Sequence, residues 1–162
     1  MIKRSEKVAF LGVGTGEAMK YMRMTDFTEL STSKNAQEYT RKYVDEDKER
    51  TSVTGYAVSL SYKFDYDPSN EVHKALCEII DKELTGEAAV VSIVQVDLSS
   101  PASEGGSDFN AVMRRFTVVP ASEGDDANTY TYGGTFKVDG ATVFGTATTA
   151  DGWKTATFTA AE

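Results

Sequence analysis

From Tyr56 to Tyr66 the chain alternates without interruption. Tyr56, Val58, Leu60, Tyr62, Phe64 and Tyr66 are large and apolar or aromatic, while Ala57, Ser59, Ser61, Lys63 and Asp65 between them are small or polar. A period of two over this length is that of a strand with one buried face. Such a strand needs neighbours to pair its backbone groups and a second layer to cover its apolar side, so it commits the chain to a β-rich fold.

Directly after that strand, Asp67-Pro68 predicts a helix start, with the carboxylate as cap and proline at the first helical position. Val72, Ala75, Leu76, Ile79, Ile80 and Leu84 then recur at steps of three and four, which predicts an amphipathic helix over about 68–85 that stops at Gly86 and packs across a sheet edge. Ala88–Leu98 is nearly all apolar, as in a strand covered on both faces. Ser99–Asp108 reads as a loop, and Phe109–Val119 as a strand whose apolar phase slips at Arg114-Arg115, where a bulge is expected. Ala121–Asn128 is polar and turn-rich. Beyond it Tyr130, Tyr132, Phe136 and Val138 alternate with polar residues, and Asp139-Gly140 and Asp151-Gly152 predict tight turns in a meander of short strands. The order is strand, strand, helix and about five strands. It predicts one domain over 1–162 that is mainly β, a β-sandwich or partly open β-barrel with one amphipathic helix packed at its side.

Bulk properties narrow the function. The formal net charge is −8, and it is uneven: residues 1–63 carry 11 basic and 9 acidic side chains, the remainder 6 and 16. The second part is therefore −10, which disfavours tight binding to the nucleic acid backbone. No run approaches the roughly 18 apolar residues of a membrane helix and no signal peptide is read at the start. The single cysteine, Cys77, excludes an internal disulfide and suits a reducing compartment.

Chemistry-bearing motifs do not converge. Gly12-Val13-Gly14-Thr15-Gly16 follows an apolar run, but its third glycine comes one residue early for a dinucleotide fingerprint and no helix follows it, so it reads as a flexible turn. Asp65, Asp67 and Ser69 open like a calcium loop, but Asn70 and Leu76 stand where glycine and glutamate belong. His73 is the only histidine, expected as a structural residue beside the helix stripe. Cys77 is expected as packing. The expectation is a protein that is not an enzyme, with no catalytic residue, metal or cofactor.

Ser31–Ser52 is the outlier. Lys34, Arg41, Lys42, Lys48 and Arg50 mix with Glu38, Asp45, Glu46, Asp47 and Glu49, and only Tyr39, Tyr43 and Val44 are large and apolar. A stretch this long with no core of its own is either an interaction arm or a solvated loop or short helix. Leu30-Ser31-Thr32-Ser33-Lys34-Asn35-Ala36-Gln37-Glu38-Tyr39-Thr40-Arg41-Lys42-Tyr43-Val44-Asp45-Glu46, continued by Glu49-Arg50-Thr51-Ser52-Val53-Thr54-Gly55-Tyr56, resembles tail tube proteins of phages infecting Gram-positive bacteria. So does the succession of a strand like Val58–Tyr66, a helix like Val72–Leu84 and an apolar strand like Ala89–Leu98, the likeness covering about residues 20–120.

The resemblance implies a structural virion protein of the tail, made in the host cytoplasm. It implies hexameric rings, an inner sheet shared between neighbours, stacking into a hollow tube with other tail proteins, and passage of DNA through the lumen without specific binding. It implies an arm at 31–53 that reaches the next ring, with Lys34, Tyr39, Arg41, Lys42, Tyr43, Asp45 and Glu46 as contact candidates; the mixed charges and few apolar groups of Lys34–Val53 predict that it is mobile in the monomer and ordered by the neighbouring ring. The polar face of the Tyr56–Tyr66 strand cannot be core, so Ser59, Ser61, Lys63 and Asp65 are candidates for a polar, net negative lumen, with the outer wall as the alternative. The competing function is a β-sandwich binding module, for carbohydrate or at a surface, without catalysis.

Overall fold

A computed structural model describes residues 1–14 and 19–161; Thr15 and Gly16 of the glycine-rich turn lie outside the described residues. The chain forms β1 (Lys7–Val13), β2 (Lys20–Arg23), β3 (Phe27–Ser33), β4 (Ala36–Arg41), β5 (Arg50–Tyr56), β6 (Ser59–Asp65), α1 (Glu71–Asp81), β7 (Val90–Pro101), β8 (Phe109–Glu123), β9 (Thr131–Val138), β10 (Val143–Thr148) and β11 (Thr155–Ala160). Nine strands run in the order β10-β11-β2-β1-β7-β8-β9-β6-β3, and β10 also pairs with β8. That last pairing closes β10, β11, β2, β1, β7 and β8 into a six-stranded barrel. The fold is thus mainly β, a closed barrel with extra strands and one helix at its side.

The long strand β8 explains the architecture. On one edge it pairs with β7 from Ala111 to Thr117, while its other edge pairs first with β10 over Phe109–Met113 and then with β9 from Phe116 onward. A second layer, β8-β9-β6-β3, therefore branches off the barrel. Two cores result. Val8, Phe10, Val94, Val96, Ala111 and Ala147 fill the barrel, with Trp153 leaning 6.0 Å from Phe10 and 5.5 Å from Phe109. Leu60, Tyr62, Phe64, Phe116 and Phe136 of the second layer pack with α1 and the outer side of β1 and β7.

The apolar phase slip in Phe109–Val119 has a different cause from the expected bulge. The β7–β8 register is unbroken from Ala111 to Thr117. Ala111 and Met113 point into the barrel, and Phe116 and Val118 point to the opposite face, into the other core. The bulges lie elsewhere, between Val96 and Pro101 in β7 and between Pro120 and Ser122 in β8. The strand also continues through Ala121–Glu123, which the sequence assigns to a turn region.

The helix is shorter than its apolar stripe. Asp67 is not its cap, because the carboxylate accepts from the Ser69 N–H (2.9 Å) and hydroxyl (2.7 Å). Asn70 caps instead, its Oδ1 accepting from the Val72 and His73 N–H groups, and α1 starts at Glu71. The stop is a Schellman motif at Glu83 (φ 51°), three residues before Gly86, which is also left-handed (φ 63°): Leu84 N–H reaches the Ile79 carbonyl at 3.1 Å and Glu83 N–H that of Ile80 at 3.2 Å. Val72, Leu76 and Ile80 are buried, contributing about 1.5–3 kcal/mol each. The helix packs against β1, β2 and β8, on the side of the second core.

The C-terminal third is only partly a meander. Asp139-Gly140 does not close a hairpin, since β9 pairs with β8 and β6 while β10 pairs with β8 and β11; the turn carries the chain along one edge of β8. β10 and β11 do form a hairpin, through Thr149–Lys154, where Asp151 accepts from the Thr155 N–H (3.0 Å) and hydroxyl (2.8 Å).

Candidate assembly surfaces

Residues 36–56 form a two-stranded hairpin of β4 and β5, separate from the large sheet, within the stretch that the sequence offered as an interaction arm or as a solvated loop or short helix. Thr40, Thr51, Val53 and Thr54 are β-branched, and the Thr40 and Thr51 hydroxyls meet at 3.1 Å. Its root is held by Asn35, a left-handed residue (φ 47°) whose amide donates to the Ala57 carbonyl (2.9 Å) and the Ser59 hydroxyl (3.1 Å). Every residue of β4 is exposed, and Tyr39, Tyr43, Val44, Val53 and Tyr56 present apolar surface to solvent. Tyr56 thus belongs to the hairpin and is 62% exposed, although the alternation placed it on the buried side.

The arm candidates divide into three places. Tyr39 accepts from Arg41 (2.7 Å) along the strand. At the tip, the Arg41 and Arg50 guanidinium groups lie 5.9 and 5.6 Å from the Tyr43 ring, and Arg50 pairs with Glu46 at 2.8 Å. Asp45 and Lys42 are exposed there without a charged partner among the described residues. Lys34 and Ser31–Ser33 do not belong to the hairpin. Ser31–Ser33 end β3, and Lys34 follows at the root, lining a groove.

The second layer offers two unpaired edges. Among the described residues β3 pairs only with β6, and β8 beyond Thr117 pairs only with β9. The Leu30 carbonyl points away from β6, accepting from Arg4 Nη2 at 2.9 Å, so Thr32, two residues on, also turns its N–H to the open side. Both β8 and β6 run antiparallel to β9, and β3 runs antiparallel to β6, so the two free edges run in opposite directions.

One face of this layer is core and the other is polar. Cross-strand partners share a face, which aligns Ser33, Ser59, Lys137 and Thr117 in one row and Ser31, Ser61, Thr135 and Val119 in the next, with Glu29 beside Lys63. Ser59, Ser61, Lys63 and Asp65 are therefore brought together on a polar surface. Lys63 is paired with Asp125 at 3.1 Å. Glu29, Asp65 and Asp125 against Lys63 and Lys137 leave a small negative excess, so most of the acidity of residues 64–162 lies elsewhere. On this layer Gly134 permits a close approach: a Cβ there would stand 2.5 Å from the Val119 carbonyl oxygen and 2.9 Å from the Tyr62 hydroxyl.

Sequence reasoning missed a groove of about 720 Å³ between β3 and the outer wall of the barrel. Arg4, Lys7, Lys34 and Arg114 line it with one carboxylate, Asp97, over a floor that includes Val112 and Phe144. Arg114 is 5% exposed; its Nη1 donates to Gln95 Oε1 at 2.8 Å, its Nε has no partner and no carboxylate pairs with it among the described residues. Burial, with the Arg114 and Lys7 charges behind it, lowers the Lys34 ammonium below its ordinary range. The signal available in sequence was the arginine inside an apolar strand.

Two further titratable groups lie buried on the helix. His73 is wholly buried against Phe64, and burial pushes the Cys77 thiol up to about 11. Among the described residues no group of three metal-ligating side chains converges, and no helix is long and apolar enough to cross a membrane. The chain matches no protein-family model, and a search of curated proteins finds none similar to it.

Proposed function

We propose that this chain is a tail tube building block, a structural protein whose copies join edge to edge into rings and stack into a hollow tube that passes DNA. The observation that carries this reading is the four-stranded layer β8-β9-β6-β3 with its two unpaired edges in opposite directions. The β8 edge of one copy laid along β3 of the next continues an all-antiparallel sheet. Such a contact is heterologous, so it must close into a ring or extend as a filament. Unpaired edges left in water are an aggregation liability, and closure removes it.

The other features fit the same assembly. The polar face with Ser59, Ser61, Lys63 and Asp65 becomes the lumen, small and close to charge-neutral, so phosphates slide past it without binding. The projecting hairpin reaches a neighbouring ring; an isolated two-stranded hairpin is marginal in water and gains from a partner. No catalysis and no cofactor are involved, and the other partners are further tail proteins.

The test is negative-stain microscopy and sedimentation of the pure protein at high concentration, with Thr32→Pro as control. Proline removes an N–H from the open side of β3 while sparing the β6 ladder. Wild type should form rings or hollow filaments and Thr32→Pro should remain a folded monomer. A wild-type protein that stays monomeric at about 1 mM, or a proline variant that assembles normally, would sink the reading.

A further inference from the structure

The groove beside β3 combines an electrostatic and a steric demand. Four cationic side chains face one carboxylate, and the Asp97 carboxylate is already engaged by the Ser99 N–H (3.0 Å) and by Lys7 (3.8 Å). A buried guanidinium with an orphaned Nε is costly unless a negative group reaches it. The groove is also too long and too apolar in its floor for a lone small anion, since Leu30, Val96 and Phe144 contribute to it.

One segment of the chain has the complementary character. At the hairpin tip Asp45, Asp47 and Glu49 are exposed and make no ion pair among the described residues; Lys42 and Lys48 are likewise exposed and unpaired, so four carboxylates against two lysines leave residues 42–49 at a net −2, and Val44 stands fully in solvent beside Tyr43. The acidic stretch from the last residue of β8 onward is not equivalent: Glu123 accepts from Tyr130, Asp125 is held by Lys63 and Thr131, and Asp126 by the Asn128 N–H. The tip cannot turn back into its own groove. Lys34 lies at the hairpin root, and a six-residue strand holds the tip about 20 Å from it.

We propose that the groove receives the β4–β5 hairpin tip of a second copy, Val44 entering over Phe144 and the tip carboxylates meeting Lys7, Lys34 and Arg114. This deepens the assembly reading above and rests on it, naming the receptor surface for the arm.

Charge exchange tests it with the full chain. Lys7→Glu with Lys34→Glu reverses the groove, and Asp45→Lys with Asp47→Lys reverses the tip. Each double variant alone should need at least about tenfold more protein to assemble, since like charges then face each other. An equimolar mixture should recover wild-type assembly, because each variant's tip meets a groove of opposite sign on the other. Arg114→Met should also weaken assembly while leaving the monomer at least as stable, a pattern that a merely structural arginine would not produce. Normal assembly of the groove variant, or no recovery in the mixture, overturns the proposal and leaves ring formation standing.

Should wild type not assemble at all, a fluorescent peptide of residues 42–50 titrated into the monomer decides separately. Binding that disappears with Lys7→Glu/Lys34→Glu supports the groove. No binding at about 1 mM, or inorganic phosphate binding as tightly as the peptide, overturns it.

Discussion

Lowering the pH from 7.5 to 5 should destabilise the fold through one residue, His73. Its ring is wholly buried, stacked 4.5 Å from Phe64 with Phe27 edge-on at 5.4 Å. Nδ1 accepts from the Asp67 N–H at 3.1 Å, and Nε2–H donates to the Thr25 carbonyl at 2.9 Å. A backbone N–H aimed at Nδ1 leaves no place for a second proton, so protonation breaks that bond and places a charge in the core. Burial lowers the imidazole below its ordinary range, outweighing the Thr25 carbonyl and the carboxylates of Asp26, Asp67 and Asp65, which act the other way. The unfolded chain therefore takes up a proton near pH 6.5 when the folded one does not. The stabilisation is complete above that value and is lost as the pH falls below it. If the folded imidazole stays neutral, linkage sets the loss at pH 5 to at most about 2 kcal/mol, or roughly 4–8 °C in Tm for a domain of this size. Calorimetry of wild type and His73→Gln at pH 7.5, 6.5, 5.5 and 5 measures it. The variant should start lower and change little over this window. Asp67, Asp97, Asp125 and Asp151, the last held to about 2, are depressed mainly by hydrogen bonds, so their contribution is lost only below the ordinary carboxylate range. Parallel losses in the two proteins between pH 7 and 5, or an imidazole titrating at its ordinary value by NMR, would refute the reasoning.

Three further outcomes are expected. Glu83→Gly, at a left-handed position that carries a Cβ, should stabilise the protein by about 0.5–1 kcal/mol in urea titrations. Excising residues 36–56 and joining Asn35 to Ala57, whose side-chain and carbonyl groups already lie 2.9 Å apart, should leave circular dichroism native in shape and abolish tubes; normal tubes would remove the hairpin from assembly. Replacing Ser59, Ser61 and Asp65 by lysine should leave the fold intact but make assembled tubes retain DNA, with a salt dependence that steepens by about one for each phosphate neutralised; unchanged DNA passage would place that face on the outside.

The strand β6 and the helix stripe were legible because local period alone encodes them: Val58, Leu60, Tyr62 and Phe64 are buried as alternation requires, and so are Val72, Leu76 and Ile80. The predicted mainly β architecture with one helix follows from the same signals. Helix ends were less legible because Asp67 and Asn70 are both competent caps, and only the Asp67–Ser69 turn removes the first from competition. β4 and β5 were hidden for a related reason. Pairing there is intrahairpin, with no buried face to impose alternation.

Composition and short-range period determined that the chain is β-rich, that it carries one amphipathic helix and that residues 31–53 have no core of their own. Tertiary structure alone decided that β8 serves two cores on opposite faces, turning Arg114-Arg115 from an apparent defect into a crossing point. It also decided that β3 and the end of β8 remain unpaired, and that Arg4, Lys7, Lys34 and Arg114 converge. Arg4 and Arg114, which line the same groove, are 110 positions apart in the sequence. Local propensity carries no information about which strands become neighbours, because pairing is selected by burial of the whole layer and not by any one segment.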